Sequence, residues 1–414
     1  MSHPRRGRRA ARHVVGVVVV AHGLLHLLGA AKGLGWSTVT ALPPPIGPVT
    51  GAAWLAAALL MVVAGVFLAT SAPRWWLVGA VAAVVSQAVL VTSWSDAKGG
   101  TVVNVLLLAA AVYGWASQGP RSFGSEYRRR VAAALSISSP APPSGSGLVV
   151  SEHDLAVLPP SVAAYLRRTG AVGQPRVSSF RARIRGRIRS AESSAWMPFT
   201  AEQVNTYGPH SRRLFSMDAS LHGIPVDVLH IFVGGAATMR VRAASLIPMV
   251  DAGGPQMDRA ETVTIFNDLC VFAPAALVDA DVKWTVLGPS RVHAAFTRGS
   301  QTVGADLVFD DHDELVDFVS DDRLAGSADG KSFRARRWST PLTCYRDVGQ
   351  RRLATQGEAR WGGPAPDEPF TYLELTVDDI EYNVHAFAGA LAPAARPACR
   401  TNPAHPSIHQ GEPR

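Results

Sequence analysis

The chain has 414 residues, a formal net charge of +8 and a sequence pI near 9.8. That length points to two or three structural units rather than one compact domain. The three cysteines, Cys270, Cys344 and Cys399, are an odd number with no CxxC; they argue against a disulfide scaffold and a cysteine-only zinc site, and fit a reducing compartment.

Charge is unevenly spread. Charged residues almost vanish between positions 14 and 116 and become frequent after Arg121, which predicts a membrane module followed by a water-facing one. The basic balance suits nucleic acid or anionic lipid. The basic clusters flank apolar runs and no nucleic-acid-binding motif is present, which favours lipid and predicts no nucleic-acid partner.

Arg5, Arg6, Arg8, Arg9 and Arg12 precede an uncharged run at 14–31. The run is long for a signal peptide and three more follow, at 51–70, 75–94 and 101–117, each approaching the roughly 20 residues that cross a bilayer. Trp36, Trp54, Trp75, Trp76, Trp94 and Trp115 lie near the run ends, where indole rings prefer the interface. Arg74, Arg121 and Arg128, Arg129 and Arg130 fall on the side of the N-terminal arginines, whereas Lys32 and Lys98 fall opposite. The positive-inside rule then predicts four spans in a bacterial inner membrane with both termini cytoplasmic. Within the first run, His22 and His26 are four apart and share a helix face. Such residues mark a proton relay, a metal or haem ligand or a headgroup contact, or else neutral rings bonded to neighbouring helices. Gln87 and Asn104 lie in later runs as candidate partners.

A Ser/Pro/Gly linker occupies 136–147, preceded at 126–135 by a short basic helix expected to lie on the membrane surface. A broken helix is expected at 151–169. From Arg176 onward strand patterns separated by turns dominate, at 180–189, 196–207, 210–217, 226–233 and 237–243, then 282–287, 291–297, 302–309, 315–322, 333–345, 350–361 and 371–384. The segment 257–271 is the exception: Ala260, Val263, Phe266 and Cys270 form a helical stripe, with Asp258 as N-cap. The expected fold is a four-helix membrane module plus a soluble α+β domain, a curled antiparallel sheet of about ten strands, half-barrel-like, packed on one or two helices. The tail after 385 is Ala/Pro-rich and expected to be disordered.

The pieces HGLLHLLGAAKGLGW, SQAVLVTSWSDAKGGTVVN, LPPSVAAYLRRTGAVG, ETVTIFNDLCVFAPAALVD and LVDFVSDDRLAGSADGKSF resemble an uncharacterised bacterial membrane-protein family whose C-terminal part is a domain of unknown function. The resemblance covers most of 14–384. It implies the domain layout and a bacterial origin, and no reaction, cofactor or substrate.

No GxGxxG, Walker A, GxSxG, HExxH or kinase signature occurs, and no cofactor or metal is expected. The most unusual stretch is FRARIRGRIR at 180–189, with arginine at every second position. Period-two alternation predicts a strand that buries Phe and Ile and presents Arg181, Arg183, Arg185, Arg187 and Arg189 on one face. That row either pairs with acids on adjacent strands, Glu202 among them, or binds anionic headgroups. Asp321, Asp322 and Arg323 form the densest acidic feature, either an acid–base or cation site or a strand-end turn. Asn267 and Asp268 flank the helical stripe, lining a cavity or bonding the sheet. Cys270 reads as a core residue. Trp338, Tyr345, Trp361 and Tyr372 pack in the core or line an apolar pocket. The leading expectation is a membrane-tethered, non-catalytic domain that binds a lipid-like or apolar ligand. An enzyme built on Asp268, Asp321, Asp322 and Arg323, and a transport or redox module built on His22 and His26, are the alternatives.

Overall fold

The computed structural model describes residues 3–39, 42, 45–137, 149–208, 211–327, 329–362 and 369–384. Six helices come first: α1 (His3–Gly33), α2 (Pro48–Thr70), α3 (Trp75–Val91), α4 (Trp94–Ala97), α5 (Gly100–Gln118) and α6 (Phe123–Ile137). The four long apolar runs are thus helical; the later three keep within a few residues of the expected bounds, whereas α1 starts at His3 and takes in the basic segment expected to precede the first run. Three apolar stretches, 12–33, 48–70 and the one beginning at Gly100, are long and apolar enough to cross a membrane, and α3 is shorter. Helices α1 and α2 pack closely because glycines face each other: a Cβ on Gly16 would stand 2.8 Å from the Gly65 carbonyl oxygen.

The second unit opens with α7 (Glu152–Leu155) and α8 (Pro160–Arg168), the broken helix expected there. Strands β1 (Ser179–Ile188), β2 (Met197–Thr206), β3 (Arg212–Leu221), β4 (Ile224–Val233), β5 (Ala236–Ala243) and β6 (Ile247–Gly253) follow, then α9 (Pro255–Phe272) and a 3-10 turn over Pro274–Asp279. Ten further strands complete the unit: β7 (Val282–Gly288), β8 (Arg291–Arg298), β9 (Gln301–Phe309), β10 (Leu315–Ser320), β11 (Leu324–Gly326), β12 (Phe333–Ala335), β13 (Trp338–Ser339), β14 (Leu342–Val348), β15 (Arg351–Trp361) and β16 (Phe370–Tyr382). Fourteen strands form one unclosed antiparallel sheet with edges β6 and β7; β1 sits at its centre between β2 and β16.

Several expectations need correction. The strand count exceeds ten. Strand β6 went unread because Pro248 interrupts it, and proline is tolerated on an edge strand. The single strand expected at 333–345 is three short pieces. Helix α9 has no stripe: fourteen of its eighteen residues are buried, because the sheet curls around it. Its N-cap is Gly254, while Asp258 accepts a hydrogen bond from the Ala237 amide at 2.6 Å. The last-turn carbonyls of α9 receive the Tyr165 hydroxyl at Cys270 (2.9 Å) and the Tyr382 hydroxyl at Phe272 (2.6 Å). Helix α6 does not offer its apolar face to a membrane; Phe123, Tyr127, Val131 and Leu135 pack on Val204, Leu214, Leu229 and Ile231, the outer face of β2–β4. Cys270 is buried and free, a core residue as expected. Of the linker expected at 136–147, Ser136 and Ile137 instead close α6, while 138–147 and the tail after 385 lie outside the described residues.

Candidate functional site

The arginines of β1 are matched by acids on both neighbours. Arg181 meets Glu202 on β2 at 2.9 Å, while Arg183, Arg185 and Arg187 meet Asp379, Asp378 and Glu374 on β16 at 3.6, 2.5 and 2.5 Å. Arg189 donates to the Thr371 and Glu192 carbonyls and stacks on Trp196. Arg181 is itself buried, and the β1–β16 register shifts between Arg183 and Ile184, leaving Asp378 as the extra residue on β16. At Gly186 the β16 backbone comes so close that a Cβ would stand 1.9 Å from the Glu374 carbonyl oxygen.

A buried charge cluster lies between α9 and the inner face of β2–β4. Glu261 and Asp268, seven apart on α9, both point at Arg213 on β3: Nε to Asp268 Oδ2 is 2.7 Å and Nη1 to Glu261 Oε2 is 3.3 Å. Gln203 and Asn205 on β2 also donate to Asp268 Oδ2, at 2.7 and 3.0 Å. Thr264 donates to Glu261 Oε1 at 2.9 Å, Arg323 approaches the same oxygen at 3.6 Å, and His230 Nε2 stands 3.2 Å from Oε2. Two guanidinium groups thus face two carboxylates, which is how buried ions are tolerated. Burial pushes the Asp268 carboxyl up, with Arg213 and Asn205 opposing. Burial also raises Glu261, but His230, Arg213 and Arg323 more than offset it and hold it below the usual range. His230 is pushed down to about 4, chiefly by burial.

Of the residues singled out from sequence, Asp268 and Arg323 join this cluster. Arg323 also lies over the Trp338 and Trp361 rings at 5.5 and 5.9 Å. Asp322 instead pairs with Arg259 at 2.6 Å and accepts from the Gly304 amide, and Asp321 pairs with Arg337 at the surface. Asn267 donates to Thr340 at 2.7 Å, Tyr345 to the Leu315 carbonyl at 2.8 Å, and Trp338 to the Tyr372 hydroxyl at 3.1 Å. Arg213, His230 and Glu261 were missed. The available signal was the heptad spacing of Glu261 and Asp268, which puts both carboxylates on one face of α9.

Beside the cluster a cavity of about 880 Å³ opens between the β2–β5 side and the β8–β9 turn. Val177, Phe232, Leu269 and Phe296 give it apolar walls, and Arg176, Arg212 and Arg298 reach it. Arg298 stacks 4.1 Å over Phe232 and donates to Ser211 Oγ at 2.6 Å, with no carboxylate partner among the described residues. Burial lowers its pKa. Arg176 is held by Asp154 and Asp279. The Tyr207 hydroxyl at the cavity wall is buried and lacks a hydrogen-bond partner among the described residues.

In the helical unit His22, His26, Gln87 and Asn104 converge, joined by Ser86 and Thr101. His26 Nδ1 is 3.0 Å from the His22 carbonyl and Nε2 is 2.8 Å from Ser86 Oγ. Ser86 donates to Asn104 Oδ1 at 2.9 Å, Asn104 to Gln87 Oε1 at 3.0 Å, and Gln87 to Thr101 at 3.1 Å. Proton bookkeeping separates two states. A carbonyl only accepts, so His26 Nδ1 carries a proton, and with the amides oriented this way Nε2 must carry one too. A neutral His26 requires both amides turned end for end, so that Ser86 donates to Nε2 and Thr101 donates to Gln87. The same heavy-atom positions serve both. Among the described residues no group of three His, Cys, Asp or Glu is arranged to hold a metal.

An unclosed antiparallel sheet curled around one buried helix, joined to an apolar helical unit, defines the class. Residues 148–375 match a family of unknown function, DUF6544, and the chain belongs to that family. A putative outer membrane lipoprotein-sorting protein domain from Vibrio parahaemolyticus is 11% identical with a TM-score of 0.29, over 50% of this chain and 86% of that one. A DUF1329 family protein from Desulfovibrio piger ATCC 29098 is 10% identical with a TM-score of 0.33, over 54% of this chain and 92% of that one. No curated protein matches the chain.

Proposed function

We propose that the chain is a four-span bacterial inner-membrane protein whose sheet domain binds an amphipathic anion, an acyl chain with a phosphate or carboxylate head, in the 880 Å³ cavity. One observation carries this reading. The cavity pairs apolar walls with a half-buried guanidinium, Arg298, held by Ser211 and Phe232 rather than by an acid among the described residues, and a guanidinium fork suits oxyanions. The arginine distribution supports a cytoplasmic sheet domain. Native mass spectrometry of the full chain titrated with a monoacyl phosphate is expected to show one bound molecule, with neutral monoacylglycerol bound at least tenfold more weakly. Arg298→Gln should erase that preference. Equal binding of the two lipids, or of neither, sinks the reading.

A second reading rests on the convergence of His26, Ser86, Asn104 and Gln87: the helical unit takes up a proton at His26. Histidine-labelled ¹⁵N spectra of the full chain in nanodiscs test it. A ring that titrates to imidazolium and is lost in His26→Asn supports it; a ring neutral at every pH tolerated by the fold rules it out.

A further inference from the structure

The β3–β4 and β5–β6 turns lie side by side, with the Ala244 amide donating to the Pro225 carbonyl at 2.7 Å. Together they expose Ile224 (54%), Leu246 (45%), Ile247 (59%) and Met249 (56%). Leu246 lies in the β5–β6 turn, Ile224 and Ile247 open β4 and β6, and Met249 is two residues into β6, so the four apolar side chains gather at one end of the sheet rather than being scattered.

The position of this patch is fixed by helix α6. Only residues 119–122 separate the end of α5 from Phe123. The Phe123 ring lies under Arg242 at 4.2 Å and Arg240 at 5.0 Å, and Arg240 also pairs with Glu126 at 2.7 Å. In the β5–β6 register Arg242 faces Pro248 and Ala243 faces Ile247, so the patch begins one residue beyond the Phe123 contact. It therefore adjoins the place where the last apolar helix ends. Trp115, exposed near that end of α5, has the character of an interfacial anchor. Arg121, Arg128, Arg129 and Arg130 are exposed on or beside α6, and at the β5–β6 turn itself Asp227 accepts a hydrogen bond from the Ser245 hydroxyl. Of these arginines Arg130 pairs with Glu126, while Arg128 and Arg129 donate to Ser125 and the Pro120 carbonyl.

We propose that the β3–β4 and β5–β6 turns dock on the anionic lipid surface of the same bilayer that the apolar helices cross, Ile224, Leu246, Ile247 and Met249 entering the headgroup boundary and the arginines meeting phosphate. The inference rests on the membrane-spanning reading above. It moves the headgroup contact from the β1 arginines, which have acid partners, to the end of the sheet beside α5. Apolar side chains rimmed by cations are the combination that binds an anionic interface. The cavity is a separate feature: it lies where the C-terminal end of α6 reaches β3, Arg212 donating weakly to the Ala134 carbonyl.

The test uses the full chain in nanodiscs containing phosphatidylglycerol, with an environment-sensitive fluorophore on Ile247→Cys, Ile224→Cys or, as control, Val157→Cys, which is 83% exposed on the α7–α8 connection. The chain without an introduced cysteine gives the background. Lipids bearing a nitroxide near the headgroup are expected to quench labels at 224 and 247 at least threefold more than the label at 157. Met249→Asp with Leu246→Asp should abolish quenching at 224. Equal quenching at all three positions, or quenching that appears only when chains associate at high protein-to-disc ratio, overturns the proposal; the second result assigns the patch to another copy. Alkaline carbonate extraction of native membranes reports separately on the spanning reading. A chain that resists extraction but shows no quenching at 224 and 247 fails the docking inference alone.

Discussion

The two units both bury polar side chains, and they do so with different chemistry. In the helical unit the network is made of amides, hydroxyls and two imidazoles, with no carboxylate or guanidinium among its members. In the sheet domain the corresponding assembly is ionic: Arg213 and Arg323 against Glu261 and Asp268. Neutral groups lose comparatively little when desolvated and can link helices at modest cost, whereas ions in a dry interior require near-complete pairing. The contrast teaches that polarity inside an apolar helical unit fastens helices together, while ions inside a curled sheet commit one helix face to one set of strands.

The ionic side should break hardest. Asp268→Leu leaves Arg213 and Arg323 sharing the single carboxylate of Glu261, and a loss of about 3–5 kcal/mol is expected, read by urea-dependent pulse proteolysis of the sheet domain in the full chain. Acidification comes next. The folded pKa of His230 is depressed to about 4, below the ordinary histidine value, so the unfolded chain binds the proton first as pH falls. The stability this group contributes is present above about pH 6.5 and is lost as pH falls toward 4, by on the order of 2–3 kcal/mol. His230→Gln should flatten that part of the profile, and an unchanged slope would refute the assignment. Ser86→Ala removes the link between His26 and Asn104 and should weaken the helical unit by roughly 1–3 kcal/mol, measured as detergent-induced unfolding. Arg185→Gln is expected to change little, at most about 1 kcal/mol, because Arg185 and Asp378 are both substantially solvated.

Much of this architecture was legible before any coordinates. The apolar runs, the strand alternation and the buried helix at 257–271 are local patterns, and the four polar residues His22, His26, Gln87 and Asn104 stood out because their surroundings are apolar. Their convergence was not legible, since it depends on which helices pack. Ser86 was overlooked as an ordinary small residue. Arg213 and His230 look like solvent-facing residues in strand patterns; only the register of β3 against β4, Phe215 opposite His230, turns them toward α9. For the FRARIRGRIR strand the sequence left acid partners and headgroups as open alternatives; Glu202 was within reach of local reading, but the acidic partners on β16 lie about 190 positions away in sequence and no local pattern announces them.

That distance has a consequence for how the domain is made. Strand β1 is the first strand synthesised and β16 the last, yet they are neighbours at the centre of the sheet. Until residues 370–382 leave the ribosome, one edge of β1 lacks its partner and its arginines lack Asp378, Asp379 and Glu374. The like-charged edge repels copies of itself, which guards a slow, long-range closure against premature strand pairing between nascent chains.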